Sequence, residues 1–338
     1  MRDLNLLPKA HLHLHFTGSM RVSTLIEMAA EQGIRLPENL TDNTALQVPA
    51  DKRGWFRFQR AYDAARKVVR SEAAMRRIVY EAAEDDAREG SRRLELQIDP
   101  TSYAPFVGGL TPALEIVLDA AKEASESTGV QVGVIVAASR IKDPMDARTL
   151  ARLAAKHVGL GPGEVAGFGL SNDERSGDTA GWERAFRIAK RAGLEAVPHG
   201  GELLGPEHIK QVIAYLHPKR LGHGVRAAED PQLLAEIVGA GIALEVCPAS
   251  NVQLGVYSDP SQVPLRTLFA AGATIALGAD DPLLFLSRLT RQYSIARNQG
   301  FSDAELAELA RGSVRASFAR PECKEQWLAE IDQWLAVE

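Results

Sequence analysis

The feature of this sequence that most restricts its fold is a regular alternation of short β-rich runs with longer helical patterns. Strands that alternate with helices form parallel βαβ units. Eight such units in 338 residues predict an α/β fold of the (β/α)8 type, a TIM barrel, as a single domain covering 1–338. The predicted strands cover 10–16, 93–98, 131–137, 165–170, 194–199, 219–223, 242–247 and 273–279.

The interval between the first two predicted strands is longer than the others, at about 20–90, and its apolar spacing predicts helices. Because the loops that follow barrel strands lie on the catalytic face, we expect this helical insertion there. Its aromatic residues Trp55, Phe56 and Phe58 have two compatible interpretations: they pack the extra helices onto the barrel, or they form a lid over an apolar pocket. The C-terminal region predicts further helices, the first with an N-cap at Ser302.

Composition excludes several classes of protein. The chain has 45% hydrophobic and 25% charged residues and a net charge of -5, which are ordinary globular values and give no electrostatic basis for binding nucleic acid. The sequence has no apolar run of membrane-spanning length, and its N-terminal segment lacks the pattern of a secretory signal. Two cysteines, Cys247 and Cys323, are too few for a disulfide scaffold, so we expect a reducing, cytoplasmic compartment. The sequence leaves the oligomeric state open.

Three of the eight histidines lie close together in the first predicted strand. Side chains two residues apart in a strand point to the same side, so His11, His13 and His15 are predicted to face the barrel interior together. His13 and His15 are nearest the catalytic end of the strand and are candidate metal ligands. His11 lies deepest, and we expect it to pack beside the site or support it.

Further candidates follow the fifth, sixth and eighth predicted strands. His199 ends the fifth strand, and two glycines then lead to Glu202, whose carboxyl group can fold back over the site. His223 lies between two glycines, and Asp280 and Asp281 form an acidic pair that a nearby cation would stabilise. Because strand ends converge on one barrel face, three histidines and one aspartate predict a site for zinc or a similar ion. Such an ion favours hydrolytic attack on an electrophilic carbon.

Six segments resemble, in order and spacing, the adenosine deaminase family of the amidohydrolase superfamily. The resemblance covers essentially the whole chain. It is carried by PKAHLHLHFTGS at 8–19, GFGLSNDE at 167–174, HGGE at 199–202, RLGHG at 220–224, EVCPASNVQLG at 245–255 and GADDPLLF at 278–285.

The resemblance implies one bound Zn2+ per chain. Related binuclear enzymes typically have a bridging lysine at the end of strand four, whereas this strand ends in Ser171 and Asn172. The ligands that the family pattern implies are His13, His15, His199 and Asp280.

The resemblance also implies roles around a purine ring. Glu202 would hold a proton for N1 as water adds at C6, and His223 would orient and stabilise the attacking hydroxide. Asp281 would hydrogen-bond N7. Asn172 occupies a position where the family usually has glycine, and its backbone N–H would contact N3. Ser171, next to it, is a further candidate for substrate binding.

Departures from the family pattern concern the sugar. Thr17 stands where adenosine deaminases usually have aspartate and adenine-specific relatives have glutamate, and Gln97 stands where the family usually has arginine. A neutral threonine would tolerate a substituted 5′ position. Four residues just beyond strand ends are either solvated or able to contact a carboxylate on such a substituent: Tyr103, Arg140, Lys142 and Arg226.

The hypothesis is therefore a small-molecule partner, a 6-aminopurine nucleoside with a 5′ substituent, such as 6-amino-6-deoxyfutalosine of menaquinone biosynthesis. Adenosine or deoxyadenosine, as in purine salvage, is an alternative, since the zinc site, Glu202 and Asp281 would contact only the base. Remoter alternatives are an adenine deaminase, a hydrolase of the superfamily acting on another ring or amide, and an inactive relative that only binds.

Overall fold

A computed structural model of the chain describes residues 1–42 and 44–336. Eight parallel strands form a sheet in chain order, which confirms the predicted barrel. They are β1 (Lys9–His15), β2 (Ser91–Ile98), β3 (Gln131–Ser139), β4 (Val165–Ser171), β5 (Glu195–Gly200), β6 (Arg220–His223), β7 (Ala243–Val246) and β8 (Ile275–Leu277).

Helices connect the strands and follow the last of them. The α-helices are α1 (Val22–Glu31), α2 (Lys52–Arg66), α3 (Glu72–Arg88), α4 (Ala104–Val107), α5 (Leu110–Thr128), α6 (Pro144–Ala154), α7 (Glu183–Arg191), α8 (Pro206–Leu216), α9 (Pro231–Gly239), α10 (Pro248–Gln253), α11 (Leu265–Ala270), α12 (Pro282–Phe285), α13 (Leu289–Asn298), α14 (Asp303–Ala316) and α15 (Pro321–Ala336). Short 3-10 helices cover Glu38–Leu40, Pro100–Ser102, Thr179–Trp182, Val225–Glu229 and Pro260–Gln262. No helix of the described residues is long and apolar enough to cross a bilayer.

The barrel closes between its first and last strands. The backbone N–H of His15 donates to the carbonyl of Asp280 at 3.0 Å, and the N–H of Asp280 donates to the carbonyl of His13 at 3.0 Å. Parallel strands covered by helices are apolar on both faces, and β3 accordingly has every residue after Gln131 buried. The closure places the acidic pair after β8 directly beside the histidines of β1.

The helical segment between β1 and β2 has two parts. The helix α3 packs against α5 and β2 and belongs to the outer ring of the barrel. The helix α2 begins after Asp51, whose side chain accepts a hydrogen bond from the N–H of Gly54 at 2.7 Å. Its aromatic face packs on α12 at the catalytic end, where the rings of Phe58 and Phe285 stack with centroids 5.8 Å apart.

The C-terminal helices close the opposite side of the molecule. Ser302 caps α14 through a reciprocal capping box with Glu305, as the sequence predicts. After α14 the chain turns into the barrel, where the N–H of Phe318 donates to the carboxylate of Glu95 at 2.7 Å. The guanidinium of Arg220 lies 3.8 Å from the centroid of the Phe318 ring.

Candidate active site

A cavity that opens to solvent lies at the carboxyl ends of the strands. The structure brings most of the predicted site residues to its wall, and these are His15, Ser171, Asn172, His199, Glu202, His223, Asp280 and Asp281.

At the base of this cavity four histidine rings surround one carboxylate. Oδ1 of Asp280 lies 3.4 Å from Nε2 of His13 and 3.2 Å from Nε2 of His15. The His13 ring centroid is 4.8 Å from that of His199 and 4.7 Å from that of His223. Side chains from four strand ends thus meet within the dimensions of one metal site.

The donor atoms of this cluster fit a divalent metal ion. Nε2 of His199 is buried and has no hydrogen-bond partner among the described residues, and Nε2 of His13 has only the long contact of 3.4 Å with Asp280. The ligand atoms of His13, His15 and Asp280 lie within 4.8 Å of one another. Buried nitrogens without partners are costly unless something binds them, and an imidazole and carboxylate set is one that zinc accepts.

A buried carboxylate orients one of these imidazoles. Oε2 of Glu245, on β7, lies 2.8 Å from Nδ1 of His13, so that Nε2 points into the cluster. Arg220 donates to the other oxygen of Glu245 at 2.6 Å and to Glu95 at 2.6 Å. A chain of ion pairs therefore runs through the barrel interior to the candidate metal site.

The backbone around the site adopts conformations that are rare outside glycine. Asn172, His223 and Asp280 have φ of 79°, 63° and 61°, and such left-handed residues concentrate at functional sites. Gly222, one of the two glycines beside His223, has no room for a side chain, since a Cβ there would lie 2.5 Å from Cδ2 of His199. Close packing of the imidazoles therefore requires glycine at this position.

Hydrogen bonds to its backbone hold Glu202 in place. The carboxylate of Glu174, at the end of the GFGLSNDE segment, accepts the N–H groups of Glu202, Leu203 and Leu204 at 3.0, 2.8 and 2.8 Å. Oε1 of Glu202 lies 3.6 Å from Nε2 of His223. The loop after β5 thus returns over the site, as its sequence predicts.

The pKa values of the acidic groups in the site are shifted in opposite directions. Burial raises the pKa of Glu202 well above its usual value, and the carboxylates of Asp280 and Glu174 raise it further. Burial and Asp280 likewise raise the pKa of Asp281. Burial would also raise the pKa of Asp280, but hydrogen bonds with His13 and His15 hold it well below its usual value. The pKa values of two carboxyl groups are therefore raised beside a third whose pKa is lowered.

The pKa values of the imidazoles are also shifted in opposite directions. Burial lowers the pKa of His223 to about 3, with a contribution from His13, and lowers that of His199 well below its usual value. Burial would lower the pKa of His13 too, but hydrogen bonds to Asp280 and Glu245 raise it to about 10. Neutral His223 and His199 have lone pairs available for a proton or a metal ion.

The prediction that all three histidines of β1 face one way is wrong for His11. A register irregularity lies between His11 and Leu14 where β1 pairs with β2, and the extra residue of such a bulge changes the side to which a side chain points. Nδ1 of His11 lies 2.9 Å from Asp86 of α3, and its Nε2 accepts from the N–H of Ala279 at 3.0 Å. His11 therefore has a packing role.

Two of the three rings that were predicted as a lid lie in the wall of the cavity. Trp55 and Phe58 line the cavity from α2. Phe56 points away and is 62% exposed, so its assignment to the lid is wrong. The reason is the helical period, which places residue 56 about 100° from its neighbour on the helix.

The same helix supplies Gln59 and Arg66, which the sequence did not single out, and Tyr62, whose role the sequence left open. The signal was present, because residues 55, 58, 59, 62 and 66 have the spacing of one helix face. Gln59 also gives the side chain of Asn172 a partner, since the Asn172 amide donates a hydrogen bond to Oε1 of Gln59 at 3.2 Å. Asparagine is tolerated in the left-handed conformation that favours glycine here.

Thr17 does not occupy its predicted position in the wall of the cavity. It is fully buried, and its hydroxyl lies 2.5 Å from that of Tyr103. Among the described residues that line the cavity, Tyr103 takes this place. A neutral hydroxyl pair, Thr17 and Tyr103, therefore stands where the family pattern implies a carboxylate.

Three other residues proposed to contact a carboxylate have protein partners instead. Arg140 is buried and donates to the carbonyl of His199 at 3.4 Å. Lys142 pairs with Asp99 at 2.8 Å. Arg226 donates to the carbonyl of Leu203 at 2.6 Å. The structure therefore does not place these three cations in the cavity wall, and Arg66 is the cation that it does place there.

Comparison with known proteins places this site in a described family. The family model described as adenosine deaminase matches residues 8–334. A protein of Streptomyces virginiae, provisionally named an adenosine/adenine deaminase, is 59% identical over 99% of this chain and 98% of its own. An adenine deaminase of Agrobacterium fabrum is 32% identical over 96% of this chain and 98% of its own.

Solved structures show the same fold. The adenine deaminase of Arthrobacter aurescens matches with a TM-score of 0.88 and 28% identity, over 98% of this chain and 100% of its own. An Arabidopsis protein, ADAL, solved with IMP, matches with a TM-score of 0.85 and 25% identity, over 98% of this chain and 97% of its own.

Proposed function

The chain belongs to the adenosine deaminase family and is a hydrolase of aminopurine C–N bonds, and we propose that its substrate is a 6-aminopurine nucleoside with a substituent at the 5′ position. The products are the 6-oxopurine nucleoside and ammonia. 6-Amino-6-deoxyfutalosine is the member of this class that we propose. The observation that supports this choice of substrate is the neutral Thr17–Tyr103 pair on the proposed sugar side.

A metal ion would complete the site. The residues that would hold one Zn2+ are His13, His15, His199 and Asp280. The ligand atoms of His13 lie close to those of His15 and Asp280 in one group and to that of His199 in another. When bound, the ion would supply hydroxide near neutral pH.

The protein groups divide the proton transfers. Glu202, with its raised pKa, carries a proton that it gives to N1 as oxygen adds to C6. His223, neutral because its pKa is lowered to about 3, accepts a hydrogen bond from the attacking oxygen. The amine then leaves as ammonia. Water supplies two protons in total, one that remains on N1 through Glu202 and one that leaves with ammonia.

Asp281 would recognise the purine base through a hydrogen bond. Burial raises its pKa, which favours the protonated carboxyl group, and this group would donate a hydrogen bond to N7, an acceptor in every purine. Oδ1 of Asp281 is buried without a hydrogen-bond partner among the described residues. A ligand that supplies this partner would be favoured.

The second candidate substrate is adenosine or adenine itself. The names of the relatives in Streptomyces virginiae and Agrobacterium fabrum favour it. The residue at position 17 disfavours adenine, because this position in adenine-specific relatives is usually an acidic residue and here it is threonine.

A substrate panel tests the proposal. Adenine, adenosine, 5′-AMP and 6-amino-6-deoxyfutalosine are compared by kcat/KM for ammonia release with zinc-loaded enzyme. We expect the 5′-extended nucleoside to be preferred over adenosine by at least about tenfold, or about 1.4 kcal/mol of transition-state binding. A higher kcat/KM for adenosine or adenine would transfer the assignment to the second candidate.

A further inference from the structure

One face of α2 forms a wall of the cavity. Trp55, Phe58 and Tyr62 place three aromatic rings on it, and Arg66 follows one turn beyond Tyr62. The centroids of the Trp55 and Phe58 rings are 5.0 Å apart, and those of Phe58 and Tyr62 are 6.1 Å apart. This wall, the α2 face, has three aromatic rings and the polar Gln59 along its length and ends in a cation.

Arg66 lies beside the segment that contains Tyr103. One of its Nη atoms donates to Oγ of Ser102 at 2.8 Å, and Ser102 directly precedes Tyr103, the partner of Thr17. Its guanidinium carbon lies 5.2 Å from the centroid of the Tyr62 ring. The cation is thus anchored at the end of the cavity where a nucleoside presents its 5′ position, if the base faces Glu202 and Asp281.

The charges near Arg66 limit the anion that it can bind. Asp63 pairs with Arg66 and is 48% exposed, and Asp99 is occupied by Lys142 at 2.8 Å. Ser102 and Asp63 use two of the five N–H groups of the guanidinium. The remaining N–H groups suit a single carboxylate. A dianionic phosphate would find too little positive charge, because Asp63 already offsets part of it.

We propose that the α2 face with Arg66 is a subsite for a carboxylate carried on an apolar arm at the 5′ side of the substrate. The proposal rests on the function proposed above and narrows its substrate class to nucleosides with such an arm. Arg66 contacts the arm and determines specificity, while the chemistry at C6 is performed by other residues.

The test compares an acid with its neutral analogue. The two substrates are 6-amino-6-deoxyfutalosine and its primary amide, assayed with wild type, Arg66→Gln and Arg66→Lys. We expect wild type to prefer the acid, and Arg66→Gln to lower the acid-to-amide ratio of kcat/KM by about 10- to 100-fold, the range for a hydrogen bond to a charged group. We expect the lower ratio to arise from a higher KM for the acid. Arg66→Lys should give an intermediate ratio, because lysine keeps the positive charge but lacks the two parallel N–H donors of the guanidinium.

Arg57→Gln is the matched control, since Arg57 is exposed on the same helix, and its ratio should equal that of wild type. Equal kcat/KM for the acid and amide in wild type, an unchanged ratio in Arg66→Gln, or a preference for 5′-AMP over the acid would each overturn the subsite. If Arg66→Gln does not fold, the wild-type ratio and that of Arg66→Lys decide. Turnover of adenosine without a preference for the acid would refute the subsite and leave aminopurine deamination intact, whereas no turnover of any 6-aminopurine would refute the proposed function.

Discussion

The carboxyl group of Glu202 is the proton donor that the site geometry favours. Replacing it in Glu202→Gln keeps the volume but removes the transferable proton, so we predict a loss in kcat of at least about 100-fold. Steady-state ammonia release measures this. Glu207→Gln is a matched control in the same segment, because the Glu207 side chain is 85% exposed and pairs with Lys210. An unchanged kcat in Glu202→Gln would transfer the role of acid to another group.

Glu245 acts on the candidate metal through His13. The variant Glu245→Gln weakens the hydrogen bond that directs Nε2 of His13 into the cluster, and we predict a 10- to 100-fold lower affinity for zinc. Dialysis against graded concentrations of chelator, followed by metal analysis, measures it. Glu236→Gln, on the exposed side of α9, is the control.

The ion pair of Glu245 with Arg220 requires a second measurement. Its loss leaves a buried arginine with fewer partners and destabilises the fold as well. Metal affinity is therefore compared at a temperature where circular dichroism shows the variant to be folded. Full zinc affinity in folded Glu245→Gln would show that His13 is oriented by other contacts.

Individual residues were predicted well where strand ends fix their place. The histidines and aspartates at the ends of β1, β5, β6 and β8 meet as expected, because barrel geometry alone brings strand ends together. His11 was misplaced because a bulge in β1 leaves no signal in the alternation of residue types. Thr17 was misplaced because its burial behind Tyr103 depends on a contact 86 positions away in the chain.

At the scale of single elements, α2 is the part of the structure with a direct effect on substrate binding. Phe58 is buried between Trp55 and Phe285, whereas Phe56 on the same helix is 62% exposed. We predict that Phe58→Ala raises KM by about tenfold and lowers the free energy of unfolding by about 3 kcal/mol. Phe56→Ala should change neither quantity.

Steady-state kinetics and denaturant unfolding of the two alanine variants measure these effects. A similar rise in KM for Phe56→Ala and Phe58→Ala would mean that α2 acts through its general stability. The position of α2 at the cavity agrees with the helical insertion that the sequence predicts. The place of Arg66 in the cavity wall could not be predicted, because the side of a helix that meets the cavity is decided by packing against α12 and the barrel.

At the scale of the whole molecule, the end of the barrel opposite the site contains a buried cation. Nζ of Lys9 donates to the carbonyls of Leu4 at 2.9 Å, of Leu7 at 2.7 Å and of Glu89. Burial lowers the pKa of Lys9 to about 7, while Glu89 and Asp86 oppose the shift.

This shift predicts the pH dependence of stability. Between pH 7 and 10.5 the unfolded chain keeps the Lys9 proton that the folded chain loses, so the unfolded state binds more protons and stability rises with pH. We predict that the difference in unfolding free energy between wild type and Lys9→Met grows in favour of wild type from pH 6 to pH 9. Urea unfolding at several pH values measures it, and a difference independent of pH would contradict the prediction.

The closure of the barrel has a consequence for the order in which the site is made. His13 and His15 emerge early from the ribosome, yet their partner Asp280 and the backbone bridge that joins β1 to β8 come more than 260 residues later. Contacts between such distant parts of a chain form late in folding. The candidate metal site therefore stays incomplete during most of translation, and a chain that stops before β8 has the imidazoles of this site without the carboxylate of Asp280.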